Sequence, residues 1–156
     1  MLISETYRAL NKDLHSGGRY GWNGDKWLVA VKDLIEQYQP VTILDYGCGQ
    51  GALAKALEQE IAEYDPAVEG KDSLPKPADL VVCTDVIEHI EPNLIDDVLD
   101  HLQSVTKKAL FAVISTRPAN KFLADGRNAH LIVEPVEWWE EKIRVRFQVA
   151  QEAVDP

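Results

Sequence analysis

The chain has 156 residues, 46% of them apolar, and a formal net charge of −10. That length fits one domain with an ordinary core and no second substrate domain. The negative balance disfavours general binding to nucleic acid or to an anionic membrane, and two cysteines, Cys48 and Cys83, are too few for a disulfide framework or a zinc cluster.

In chain order, Ser4 caps a first helix to about His15, with Tyr7, Leu10 and Leu14 at helical spacing. A loop with four glycines follows, Ser16 to Gly24, and carries Tyr20 and Trp22. Large aromatics there read either as a lid and ligand wall or as packing for the first helix. Asp25 opens a second helix to Tyr38, striped by Trp27, Leu28, Val31, Leu34 and Ile35. Val41–Leu44 reads as a buried parallel strand, Gly51–Gln59 as a helix, Ile61–Tyr64 as a weaker strand and Asp79–Thr84 as a strongly apolar one. Asn93 to about Thr106 is an amphipathic helix with Asp96, Asp97 and Asp100 on its solvated face. Ala109–Ile114 is a fourth strand, Pro135–Ile143 a helix and Arg144–Val149 a last alternating strand. Strands alternating with helices predict a parallel sheet covered on both faces.

The first strand runs directly into Asp45-Tyr46-Gly47-Cys48-Gly49-Gln50-Gly51. Glycines there allow positive φ and bring backbone amides toward a ligand at a helix N-terminus. With Ala52 the run even satisfies the dinucleotide fingerprint. Charge separates the two ligands: a diphosphate is repelled by Asp45, whereas a ligand with an ammonium and a sulfonium is attracted to it. Asp65, 20 residues beyond Asp45, falls where an acid can accept bonds from ribose hydroxyls, and Asp65-Pro66 also reads as a turn opener.

Together, Ile43 to Gly51, Tyr64-Asp65, Asp79-Leu80-Val81-Val82 and Asp85-Val86-Ile87-Glu88-His89 resemble the class I S-adenosylmethionine-dependent methyltransferases over about residues 41 to 115. The resemblance implies a three-layer, Rossmann-like α/β fold with a mostly parallel sheet. It implies S-adenosylmethionine as cofactor, with S-adenosylhomocysteine as product, held by Asp45, Tyr46, Gly47, Cys48, Gly49, Asp65 and Pro66 and bordered by Thr84, Asp85, Val86 and His89. Residues 71–75, chiefly Asp72 and Leu74, would flank adenine. Two departures stand out. Only 13 residues separate Asp65 from Asp79, against about 30 for a full βαβ unit, so the family's third strand is expected to be missing. A single terminal strand also implies an incomplete closing hairpin, whose exposed edge a second subunit would cover in a homo-oligomer.

For chemistry, methyl transfer needs alignment, exclusion of water and sometimes a base. His130, Glu88, His89 and Arg117 are the catalytic candidates, and Tyr20, Trp22 and Trp138 the acceptor-lining ones. Asp85, Glu88, His89 and His130 also form an oxygen/nitrogen set similar to the metal ligands of small-RNA 3′-terminal ribose methyltransferases. The acidic chain argues against that reading, and no metal is expected. The sequence thus reads as one methyltransferase domain over 1–156, with N-terminal helices and lid loop over 1–39 and the Rossmann-like core over 40–156, acting at oxygen or nitrogen of a small-molecule acceptor. The rival readings are a metal-assisted RNA-ribose enzyme, a nucleotide-dependent oxidoreductase module and a non-catalytic cofactor-binding partner subunit. No run is long enough to cross a membrane and Met1–Glu5 does not open a signal peptide, so no membrane partner is expected and a cytoplasmic location is the default.

Overall fold

The computed structural model describes residues 1–16, 23–147 and 150–155. Tyr20 and Trp22 lie outside the described residues. The chain builds helices α1 (Glu5–Ser16), α2 (Leu28–Tyr38), α3 (Ala52–Leu57), α4 (Ile95–Val105) and α5 (Val136–Arg144). Its strands are β1 (Ile43–Tyr46), β2 (Ala62–Tyr64), β3 (Ala78–Thr84), β4 (Thr106–Ser115) and β5 (Ala150–Asp155).

All five strands run parallel in the order β2-β1-β3-β4-β5. Side-chain alternation along the strands divides the core into two layers. Leu44, Val81, Cys83, Leu110, Ala112 and Ile114 pack against α4 and α5, through Val98, Leu99, Leu102, Trp139 and Ile143. Ile43, Leu80, Val82, Phe111 and Val113 face α2 and α3, through Val31, Leu34, Leu53 and Leu57. This is the Rossmann-like, three-layer α/β arrangement expected, and its sheet is wholly rather than mostly parallel. Among the described residues no strand lies between β2 and β3, so the family's third strand is absent there, as the short spacing predicts.

Several boundaries differ from the sequence reading: α2 begins at Leu28, after a 3-10 turn over Asn23–Trp27, and not at Asp25. Strand β1 extends through Asp45 and Tyr46, which therefore lie in the sheet rather than in the turn after it. Strand β4 begins at Thr106, directly after α4, and Lys108 pairs with Asp79 on the neighbouring strand at 3.1 Å. The alternation of Val145 and Phe147 marks no strand. The amides of Arg146 and Phe147 bond to the Ile143 carbonyl, a tightening turn that ends α5, and the terminal strand starts at Ala150. Nor are the acids of α4 merely solvated: Asp96 holds Lys142 and Arg146 at 2.9 and 3.0 Å, and Asp100 holds Arg146 at 2.6 Å, joining α4 to α5.

The strand order fixes where a ligand can sit. From β1 the chain passes to β2 on one side and then crosses to β3 on the other. This topological switch opens a crevice beyond the C-terminal ends of β1 and β3. Helix α1 closes it: Ser4 accepts from the Tyr7 amide as its cap, and Glu91 accepts from Ser4 at two 2.8 Å bonds. The Tyr7 hydroxyl donates to the His89 carbonyl.

Candidate active site

A cavity of about 410 Å³ occupies the switch-point crevice. Its floor is the turn after β1. Gly47 has φ +81, and a Cβ there would lie 2.3 Å from a Val86 methyl, so only glycine lets the β1 and β3 turns touch. The amides of Gly47 and Cys48 donate to the Tyr64 carbonyl at 2.7 and 3.1 Å, and the Gly51 amide donates to Cys48 at 2.9 Å. The Gly49 amide donates to Asp65 Oδ2 at 3.0 Å, and the Ala67 amide to Asp65 Oδ1 at 2.9 Å.

This bonding corrects the expectation that the loop offers amides to a ligand. Those four N–H groups are consumed within the fold, and a diphosphate would need such donors. Asp65 meanwhile fills the turn-opening role: both oxygens hold backbone, and a carboxylate oxygen retains capacity to accept a further bond.

Charge at this end is negative. Asp45 is 4% exposed and sits beside Glu63, its register partner on β2. Burial, reinforced by Glu63 and Asp65 and opposed by Lys71, pushes its carboxyl up to about 7. Lys71 bridges to Glu63 at 3.0 Å. At the end of β3, Asp85 adopts φ +56 and accepts a long 3.4 Å bond from the Trp27 indole. Burial raises the Cys48 and Cys83 thiols, so both remain protonated.

The opposite wall is the segment after β4. Asn128 accepts from the Ala119 amide at 2.9 Å and donates to the Ala119 carbonyl at 2.8 Å, and its oxygen also takes the His130 amide at 2.9 Å. Leu123 and Arg127, and Ala129 and Lys121, pair through their backbones to complete a small flap. Two imidazoles stand at its base. His130 Nδ1 lies 2.6 Å from the Arg117 carbonyl and His89 Nδ1 2.8 Å from the Ala129 carbonyl. A carbonyl only accepts, so each Nδ1 is the donor, which places the lone pair of the neutral form of either ring on Nε2. The rings meet edge to face, 4.7 Å between centroids.

Of the residues expected to hold cofactor, Asp45, Tyr46, Gly47, Cys48, Gly49, Asp65, Pro66, Thr84, Asp85, Val86 and His89 all line this one cavity. His130 and Arg117 line its far side. Four others do not reach it. Glu88 is fully buried and accepts the Ser115 amide at 3.0 Å, tying β3 to β4. Asp72 stands 4.0 Å from Arg8, and Leu74 is 70% exposed, because the connection that replaces the missing strand turns outward. Trp138 packs on Trp139 and borders a separate depression on α5 with Lys142.

The sequence reading missed Asn11, which is buried, lines the cavity and donates to the Tyr7 carbonyl at 3.1 Å. Its signal was a polar residue four places from Tyr7 on an otherwise apolar face. It also missed Lys121 on the flap.

Glu88, His89 and His130 each present one ligand atom within 4.8 Å of the others. Asp85, the fourth residue of the expected set, is not in that group.

A ligand crevice at the switch point of a parallel, helix-covered sheet, floored by a glycine turn that no side chain could replace, defines a Rossmann-like enzyme fold. A family model described as a methyltransferase domain matches residues 21–151, and the chain belongs to that methyltransferase family. Neither curated proteins nor solved structures yield a match. Among the described residues no helix is long and apolar enough to cross a membrane.

Proposed function

We propose that the protein uses S-adenosylmethionine to methylate an oxygen or nitrogen of a small-molecule acceptor. The observation that carries this reading is Asp45, a buried acid beneath a glycine turn whose amides are already spent. Such a floor suits an ammonium and a sulfonium and disfavours a diphosphate, so it also weighs against the oxidoreductase reading.

In the reaction, an acceptor lone pair attacks the methyl carbon in line with sulfur. The new bond forms as the S–CH₃ bond breaks, its electron pair returns to sulfur, and the sulfonium becomes the neutral thioether of S-adenosylhomocysteine. Asp45 orients the amino-acid end, Asp65 accepts from ribose with its remaining lone pairs, and Val86 fixes the turn beneath the donor. The Nε2 lone pair of His130 takes the acceptor's proton where one must leave. The fold's main contribution is alignment in a crevice that α1 and the flap shield from water.

Calorimetric titration with S-adenosylhomocysteine tests the cofactor, with NAD as comparator. Saturable binding of the thioether alone is expected, and binding of NAD alone would overturn the reading. The convergence of Glu88, His89 and His130 favours one second reading, in which a divalent ion helps hold the acceptor oxygen. Its test is methyl transfer after exhaustive chelation: full activity removes it, and loss restored by Mn²⁺ supports it.

A further inference from the structure

We propose that the acceptor carries an oxyanion, a carboxylate or phosphate, that Arg117 anchors at the flap side of the cavity. This rests on the methyltransferase reading and adds the substrate class.

The chain carries 26 acids against 16 lysines and arginines, so a cation finds a carboxylate easily. Arg8, Arg127, Arg144 and Arg146 each pair with at least one. Arg117 is the exception among the described arginines. It lines the cavity, yet no carboxylate lies within ion-pair distance of it in the described residues. Lys121 lines the same wall four residues on.

The position of Arg117 is built. Its carbonyl accepts from His130 Nδ1, and the Ala119 backbone two residues later is gripped at both ends by Asn128. A fixed backbone lowers the entropic cost of presenting a guanidinium, whose fork matches the two oxygens of a carboxylate or phosphate. The cavity is therefore polarised, with Asp45 and Asp65 at the floor and Arg117 and Lys121 at the flap. A cationic donor and an anionic acceptor sort to opposite ends.

The oxyanion is the handle and not the attacking atom. Pairing with a guanidinium draws electron density from it and weakens it as a nucleophile. The oxygen or nitrogen that attacks is a separate group of the same molecule, nearer His130.

The probes are benzoate, phenyl phosphate and neutral benzamide, titrated into protein with and without saturating S-adenosylhomocysteine. Either or both anions are expected to bind at least about tenfold more tightly than benzamide. Which anion wins separates a carboxylate from a phosphate handle. R117Q is expected to remove that preference while its melting temperature stays unchanged, since the side chain is exposed. K121Q is expected to have a smaller effect in the same direction. Equal binding of anions and benzamide, no binding of any probe, or an unaltered preference in R117Q would overturn the proposal. Failure of S-adenosylhomocysteine to bind would instead strike the cofactor reading, because the anion titration without it still scores Arg117.

Discussion

The two sides of the cavity are made in different ways. The floor is built mainly from one stretch: from Ile43 to Gly51 one strand and one turn supply the buried acid and the glycine contact with Val86. Tyr64 and Asp65, at the end of the neighbouring β2, seal the turn's amides. The flap is assembled at a distance, by Asn128 gripping Ala119 and by His130 reaching back to Arg117. The floor is rigid through backbone sterics and burial, whereas the flap is held by polar side chains at a half-exposed surface. A floor of this kind suits a part of the ligand that never varies, and a flap of this kind suits the part that differs between substrates.

The largest effect is expected at Asp45. D45N keeps the shape of the side chain and removes the charge, so S-adenosylhomocysteine should bind about a hundredfold more weakly or not at all by calorimetry. D45K should abolish binding, and D45N separates that loss from misfolding. Unchanged affinity in folded D45N would show that the floor does not read the ligand's charge.

The same residue predicts a pH dependence. In the folded protein its carboxyl is raised from 3.8 to about 7. If only the ionised form receives the ammonium, affinity rises with pH and levels off above about 7, and at pH 5 it is about a hundredfold weaker. Stability runs the other way. Between those two values the folded chain holds a proton that the unfolded chain releases, so this group's contribution falls as pH rises through that window. Denaturant unfolding of D45N across the same range should show a flatter profile than the parent.

Gly47 comes next. G47A places a methyl group against Val86 and forces a side chain into positive φ, which should destabilise the fold by about 2–4 kcal/mol in chemical denaturation. V86A in the same chain should recover part of this, since it removes the clash and leaves the backbone strain. An additive double variant would mean that the two turns do not depend on this contact.

Legibility followed the same division. The floor was readable because its signals lie within one stretch and depend on local geometry: a β-branched run, an acid, three spaced glycines. The missing third strand was readable from a count of residues between Asp65 and Asp79. The flap was not, because nothing in the sequence links Asn128 to Ala119, and a hydrogen bond across nine residues has no periodicity. Trp138 misled for a related reason. Adjacent tryptophans on a helix point to different faces, and the sequence cannot say that both faces of α5 lie away from the crevice. Val145 to Phe147 alternate like a strand only because a tightened helix end exposes Val145 and buries Phe147.

The smallest expected effect bears on the one part of the floor where family resemblance and structure disagree. The resemblance gives Asp72 and Leu74 to adenine, but Asp72 faces Arg8 and Leu74 faces solvent. Neither side chain lines the cavity, although Lys71 just before them folds back on the floor, its carbonyl accepting the Asp65 amide at 2.9 Å. D72A and L74S should therefore change S-adenosylhomocysteine affinity by less than about twofold, since an exposed ion pair contributes little and Leu74 loses no burial. A tenfold loss in either would mean that this connection closes over the ligand when it binds. The adenine wall would then be an element that forms around the nucleoside, and the floor would share the flap's adaptability at that one corner.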